Sequence, residues 1–337
     1  MPNPPVGDWM LSGRPGRQPN VQYRKKKAAI HAAAWNDPRN TWDRTSRRGL
    51  TSRSFWDRGG RAYEDAAEAI ALQHMLPRQG RLMLELGAGA GRNTLRYHGF
   101  EQVVLLDYSS TQLQQAQARL GRSSRYIYVA ADIYHLPFVA GVFDAATMIR
   151  TLHHMVEPQR ALQQVRDVLQ PSATFILEFA NKQNIKAILR YLLRRQDWNP
   201  FTLEAIEFIE MNFDFHPRTI FNWLKELGFH IQSKRAVSHF RVGFLKRLIP
   251  PKLLAAVDGL FQPTGALWQL TPSVFVKAVV EGDHLSSPKP IDPLSYFKCP
   301  ACGHSPLDLK DGHLACIGCG RRWAIRDGIY DFKEPIL

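Results

Sequence analysis

The stretch that most constrains this chain is Leu84-Glu85-Leu86-Gly87-Ala88-Gly89-Ala90-Gly91-Arg92-Asn93-Thr94. Three glycines alternate with small residues directly after a short apolar run. Glycine lets backbone turn sharply and approach a ligand with no Cβ in the way. At the end of a strand and before a helix, such a loop belongs to α/β nucleotide-binding architecture. The surrounding pattern agrees. Apolar strand-like runs at Arg81–Leu86, Gln102–Leu106, Arg125–Ala130, Phe143–Ile149 and Thr174–Phe179 alternate with helical periodicity at Asn93–His98, Thr111–Leu120 and Gln159–Leu169. This alternation predicts a doubly wound, Rossmann-like parallel sheet with its ligand site at the carboxyl ends of the strands.

Acids close those strands. Glu85 stands two residues before the first glycine, where it can face a cationic group. Asp107 ends the second strand about 20 residues further on, where a carboxylate accepts from ribose hydroxyls. Asp132 and Ile133 end the third and offer an acceptor and an apolar contact to an adenine ring. The spacing is Gly-x-Gly-x-Gly, not the Gly-x-Gly-x-x-Gly of dinucleotide binders. S-adenosylmethionine lacks a pyrophosphate and carries an ammonium and a sulfonium, so an acid beside the loop suits it better than NAD.

With these residues in place, 80–180 resembles the class I S-adenosylmethionine-dependent methyltransferases, in particular the family around the ubiquinone and menaquinone methyltransferases. Leu84–Thr94 is similar to that family's first motif, Leu106-Asp107-Tyr108-Ser109 to its ribose segment, and Ala131-Asp132-Ile133-Tyr134-His135-Leu136-Pro137-Phe138 to its adenine segment. Phe143-Asp144 through Leu152-His153-His154 resembles its fourth strand and following loop. The family's Pro-Gly-Gly turn is Pro171-Ser172-Ala173 here. The resemblance implies a seven-stranded methyltransferase sheet over 54–281. It implies a cofactor set of Glu85, Gly87, Ala88, Gly89, Gly91, Asn93, Asp107, Tyr108, Asp132, Ile133 and Arg150.

Methyl transfer from a sulfonium is a displacement governed largely by positioning. The candidate bases are His153 and His154, in the loop after strand four, because a near-neutral imidazole can take a proton from a hydroxyl or an activated carbon. Two chemistries are disfavoured. Met148-Ile149-Arg150-Thr151 replaces the Asn/Asp-Pro-Pro-aromatic motif of exocyclic base-nitrogen methylation, and no cysteine before residue 299 is available for a covalent pyrimidine adduct.

All four cysteines fall in Cys299-Pro300-Ala301-Cys302 and Cys316-Ile317-Gly318-Cys319. Two Cys-x-x-Cys knuckles predict one structural, tetrahedral zinc site in a ribbon over 296–337. So small a module has too little core to fold without its metal. Cys299–Phe332 resembles the zinc-ribbon activator subunit of tRNA, rRNA and release-factor methyltransferases, with Trp323-Ala324 where a Tyr-Pro is usual. The resemblance implies that the ribbon docks in cis on the catalytic domain. Residues 282–295, with Pro288, Pro290 and Pro293, are expected to form a stiff linker.

The formal net charge is +14, and residues 1–60 hold twelve Lys/Arg against four Asp. Residues 1–53 are expected to be a disordered basic extension, with one short helix around Arg24–Trp35. Cysteine usage and the absence of a membrane-spanning apolar run point to the cytoplasm. For the acceptor, a small lipophilic or aromatic molecule is favoured, under a roof that includes Ile188, Leu192, Phe240 and Phe244. The cationic face of the helix at Asn184–Arg195 could also rest on a membrane surface. The alternatives are RNA or a ribosomal component held by the basic extension, and a non-catalytic cofactor-binding scaffold. Residues 240–272 read as irregular.

Overall fold

The structure, a computed structural model, describes residues 61–209, 211–282 and 292–336. The basic extension with its expected helix, and most of the linker, lie outside the described residues.

The first helix, α1 (Ala62–Met75), is followed by β1 (Gly80–Leu86), β2 (Phe100–Asp107), α2 (Ser110–Leu120), β3 (Tyr126–Ala130) and β4 (Phe143–Met148). Then come α3 (Pro158–Val168), β5 (Leu169–Ala180), α4 (Ile185–Leu192), a hairpin of β6 (Ile206–Ile209) and β7 (Asn212–Asp214), and α5 (Pro217–Glu226). After β8 (Phe229–Val237), α6 (Gly243–Leu248) and α7 (Pro251–Phe261), β9 (Ser273–Val280) returns antiparallel between β5 and β8.

Strands β3, β2, β1, β4 and β5 are parallel and lie in that order. The chain therefore reverses its direction of travel across the sheet at β1, and the crevice between the carboxyl ends of β1 and β4 is where such sheets bind ligands. Leu82, Leu84 and Leu86 face one core layer while Met83 joins Val103, Leu105 and Tyr97 in the other. Burial on both faces is why these strands read as continuous apolar runs.

Two expectations are corrected. Asn93–His98 does not form a helix but a 3-10 turn, Thr94–Arg96. Six residues of glycine loop leave only seven before β2 begins, and Tyr97 must turn into the core, where it is fully buried. Residues 240–272 are not irregular. Pro251 stands in the first turn of α7, a position that needs no N–H donor, and Leu254, Ala255 and Asp258 bury one face of that helix. The Asp258 carboxylate accepts from Tyr63 Oη of α1 at 3.1 Å and from His239 N at 2.7 Å. The ribbon, expected to dock in cis, does so by continuing the same sheet.

That continuation runs through β10 (Asp308–Lys310), β11 (His313–Ala315), β12 (Arg322–Arg326) and β13 (Ile329–Ile336). The last pairs in parallel with β3, Ile329 opposite Tyr128 and Asp331 opposite Ala130, so a seven-stranded sheet becomes eleven-stranded. Pro293, assigned to the linker from sequence, instead opens a 3-10 turn capped by Asp292. Tyr296 Oη donates to Gln102 Oε1 at 2.7 Å, and Gln117 Nε2 donates to the Asp327 carbonyl at 3.0 Å. Phe297 is fully buried among Phe138, Tyr330 and Phe332. At Pro171-Ser172-Ala173, Ser172 takes a left-handed conformation (φ 64°) that glycine would adopt more cheaply.

Ile329 is buried at the seam, inside the cluster built by Val103, Leu105 and Tyr128. Ile329→Ala should cost about 2–4 kcal/mol of stability, the range for deleting a buried aliphatic chain. Urea unfolding monitored by tryptophan fluorescence and by protease nicking of 292–336 checks both the cost and its location.

Candidate cofactor and acceptor site

The glycine loop is stitched to the end of β2. Gly87 N and Ala88 N both donate to the Leu106 carbonyl, at 2.9 and 3.0 Å, and Gly91 N donates to the Ala88 carbonyl at 3.0 Å. Gly87, Gly89 and Gly91 all have positive φ (67°, 54° and 69°). A Cβ on Gly87 would lie 2.1 Å from Thr151 Oγ1, whereas one on Gly89 would meet only Gln112 Oε1, at 3.8 Å. Close packing thus requires the first glycine, and the second leaves open space. Gln112 Oε1 is buried with no hydrogen-bond partner among the described residues. Such an acceptor beside a glycine cradle suits a ligand donor.

Asp107 holds the cradle closed. One carboxylate oxygen accepts from Gly89 N at 2.8 Å and the other from Ser109 N at 2.9 Å. Each oxygen retains a lone pair for a further donor. Burial pushes the Asp107 carboxyl upward, against the stabilising effect of these amides. Asp132 Oδ1 accepts from Tyr134 N at 3.0 Å, and its other oxygen lies 3.0 Å from His135 Nδ1. Ile133 is buried beside it. Tyr108 is half-buried, with the Lys333 ammonium of the ribbon 5.5 Å from its ring centroid. Lys333 Nζ also donates to Ser110 Oγ at 2.8 Å.

Glu85 is almost wholly buried and accepts from Thr94 Oγ1 at 2.5 Å and from Tyr97 Oη at 3.3 Å. Tyr97 Oη also lies 3.0 Å from Thr147 Oγ1. Burial pushes the carboxyl up to about 7, although the two hydroxyls and the charges of Arg92 and Arg96 favour its ionised form. An acid held in this state is prepared for a cationic ligand group. Asn93 is buried, and its side-chain oxygen accepts from Arg96. Arg150 lies just past β4 in a left-handed conformation (φ 54°). Its guanidinium pairs with the fully buried Glu68 of α1, which Arg92 also contacts at 2.7 Å, and its amide donates to Glu178 Oε2 at 2.8 Å. The Arg150 side chain is therefore engaged in fastening α1 over the site.

His153 and His154 form the short turn after β4, with ring centroids 3.9 Å apart. His154 Nδ1 is 3.1 Å from the Met211 carbonyl of the β6–β7 connection. His153 Nδ1 is buried and has no partner among the described residues. Burial lowers both imidazoles, His153 well below its ordinary value with help from the neighbouring His154 and Arg150 charges. Burial thus favours the neutral form of both rings.

Sequence reasoning missed Gln112, Thr94, Tyr97 and the β6–β7 hairpin. On that hairpin Asp214 is pushed up to about 6 by burial. Threonine and glutamine carry no recognisable spacing, and a hairpin with a three-residue arm is too short for period-two alternation to register.

The expected roof is only partly built. Ile188 and Phe240 are half-buried, whereas Leu192 and Phe244 are 65% and 67% exposed and are not covered by the rest of the chain. The α4 and α6 segments bury little of their own apolar faces.

At the C-terminal module the four cysteine sulfurs lie within 4.8 Å of one another. Cys299 and Cys319 are 3.7 Å apart, and Cys302 and Cys316 3.5 Å apart. A tetrahedral zinc thiolate site with bonds of about 2.3 Å has sulfurs about 3.8 Å apart, so this donor set fits zinc.

Glu85 gives the stability a pH signature. Below pH 4.5 the acid is protonated in folded and unfolded chains alike. Between 4.5 and about 7 only the unfolded chain ionises, so the ligand-free protein loses stability as pH rises, by up to about 3 kcal/mol. Glu85→Gln should remove that slope, which urea titrations at pH 5 and pH 8 would show as a smaller stability difference than in the parent.

A methyltransferase domain model matches residues 84–177. A demethylmenaquinone methyltransferase from Clavibacter sepedonicus is 29% identical over 168 residues, covering 45% of this chain and 67% of that protein. An O-methyltransferase from Penicillium expansum is 32% identical over 106 residues, 30% of this chain and 38% of that protein. The chain thus spans between 38% and 67% of the length of these two relatives. Among solved structures, an S-adenosylmethionine-dependent methyltransferase from Thermotoga maritima superposes with a TM-score of 0.50 at 16% identity, over 71% of this chain and 98% of that one. The strand order, the glycine loop at the end of β1 and the family match agree, and residues 84–177 form a class I S-adenosylmethionine-dependent methyltransferase domain.

Proposed function

We propose that the protein transfers a methyl group from S-adenosylmethionine to a small lipophilic or aromatic acceptor. The observation that carries this reading is the pairing, at one end of the sheet, of an open glycine cradle with a turn bearing two half-buried imidazoles whose neutral form is favoured. When bound, the cofactor supplies a sulfonium-activated methyl group. Glu85 would receive its ammonium, and Gly87, Ala88, Gly89, Gly91 and Asn93 would line its backbone path. Asp107, with Tyr108 and Gln112, would hold the ribose. Asp132 and Ile133 would bracket the adenine, and Arg150 would support the site from behind through Glu68. His153, with a buried Nδ1 that lacks a partner among the described residues, is the better candidate to take a proton from an acceptor hydroxyl or acidic carbon. His154 is drawn instead to the Met211 carbonyl.

The lipophilic acceptor rests on the apolar character of the segments around the mouth of the site and on the O-methyl and quinone methyltransferases among the relatives. The test is to incubate the protein with radiolabelled cofactor and a whole-cell extract, then separate lipid, small-molecule, RNA and protein fractions. Label should enter the organic fraction. Asp107→Ala should abolish it while weakening cofactor affinity about 30-fold, the equivalent of about 2 kcal/mol for a charge-assisted acceptor. Label confined to RNA would overturn this reading of the acceptor.

We further propose that Cys299, Cys302, Cys316 and Cys319 hold one structural zinc ion. Elemental analysis should find one zinc per chain. Its removal by chelator should raise hydrogen exchange across 292–336 and in β3, the strand that the ribbon covers. An unchanged exchange pattern after metal loss would contradict a structural role.

A further inference from the structure

Three chain segments leave the sheet at the same end as the glycine loop. α4 follows β5, whose last residue, Ala180, is paired with Ser273 at the start of β9. Val237, the last residue of β8, is also paired with Ser273, so the segment through α6 and α7 and the stretch that returns to β9 emerge there too. Hydrogen bonds join them. Ile185 N donates to the Leu270 carbonyl at 2.8 Å, and Lys186 Nζ donates to the Arg241 carbonyl.

What these segments show to solvent is unusual. Leu189, Leu192, Phe244, Leu248, Leu267 and Trp268 are all more than half exposed, Leu267 reaching 77%. Scattered exposed apolar residues need no explanation, but a group of this size around the mouth of a site marks an interaction surface. The accompanying charge is predominantly positive, with Asp197 an exposed acid beside Leu192 and Arg194. Residues 185–195 contain Lys and Arg but no Asp or Glu. Residues 241–272 contain a single acid, Asp258, which is fully buried. Arg190, Arg194, Arg247 and Lys252 are exposed among the leucines. Apolar side chains interleaved with an excess of cations, on short amphipathic helices, are complementary to an anionic bilayer surface. The leucines and aromatics enter the headgroup region, and the basic groups meet lipid phosphates. RNA would be complementary to the cations and would leave the leucines in water.

We infer that this face, formed by α4, α6 and the 267–270 segment, docks the protein on anionic lipid bilayers with the mouth of the methyltransferase site toward the membrane. The inference deepens the proposed function, since a lipophilic acceptor would then be taken from the bilayer. Its test reads vesicle binding and not methyl transfer, so the two can fail separately.

The full chain is sedimented with large unilamellar vesicles of phosphatidylcholine, with and without about 30 mol% phosphatidylglycerol, the range in which surface potential attracts basic segments. Binding is expected to the anionic vesicles and to be at least about tenfold weaker to the neutral ones. Leu189→Ser, Leu267→Ser and Trp268→Ser combined should lower partitioning by at least about tenfold through lost apolar burial. Because these side chains are exposed, the melting temperature should hold. Arg190→Gln with Arg194→Gln and Lys252→Gln should lower partitioning comparably, at low salt only. No binding to either vesicle overturns the inference. So does anionic binding that the apolar substitutions leave untouched, which would be charge adhesion alone. Light scattering that shows a dimer lost in the apolar variant, without vesicle binding in the parent, would assign the face to a second copy of the chain and equally overturn it.

Discussion

The hydrogen bond from Gly89 N to the Asp107 carboxylate, 2.8 Å long, ties together the two features on which the site depends. Gly89 belongs to the turn after β1, and Asp107 is the last residue of β2. Their contact folds a left-handed glycine loop over the end of the neighbouring strand. Without it, three successive positive-φ glycines would be an unsupported excursion, expensive in chain entropy. With it, the amides of Gly87 and Ala88 are directed to the Leu106 carbonyl and the loop becomes a fixed wall. The sheet contributes the other half of the arrangement. Parallel pairing of β1 with both β2 and β4 sets the Thr151–His154 turn on the far side of the same crevice. A cradle on one lip and two imidazoles on the other follow from strand order alone.

The site is secured from outside by a second polar cluster. Glu68 of α1, fully buried, is contacted by Arg92 from the glycine loop and Arg150 from beyond β4. Neighbouring cations hold its carboxyl below the ordinary range despite burial. Truncating either arginine would leave a buried charge short of a partner, which is costly. Glu85, only a few residues from Arg92, meets hydroxyls instead of guanidinium groups, and its carboxyl rises. Two glutamates in one region are thus driven apart in acidity by their contacts. One is permanently charged and structural, and the other is ready to ionise when a cation arrives.

How much of this was legible in the sequence varied with the physics involved. Strands β1 to β5 are buried on both faces, so each reads as an apolar run closed by an acid or a turn, and the glycine loop declares itself by composition. Paired Cys-x-x-Cys spacing is equally plain. The turn at Thr94–Arg96 carries helical periodicity in sequence, but local periodicity holds no information on the length of chain left before β2. Helix α7 was missed because its exposed face carries Leu253, Val257 and Leu260, which blurs the amphipathic pattern that Leu254, Ala255 and Asp258 would otherwise show. The exposure of Leu192 and Phe244 was equally hidden, since hydropathy reports which side chains avoid water and not whether the chain supplies a cover. The pairing of β13 with β3 depends on two segments about 200 residues apart, a relation invisible to any local window.

That pairing has a consequence for how the ribbon and the catalytic domain come together. Nine residues, 283–291, join Gly282 to Asp292. Because one polypeptide carries both partners, their local concentration is set by chain connectivity and not by expression. Docking is then an intramolecular equilibrium, insensitive to how much protein a cell makes. A ribbon supplied as a free subunit could be shared among several catalytic chains and would be rationed by supply. Here every sheet carries its own edge cover in one-to-one proportion. The otherwise open edge of β3, with amides and carbonyls that could recruit another strand, is closed from within the same polypeptide.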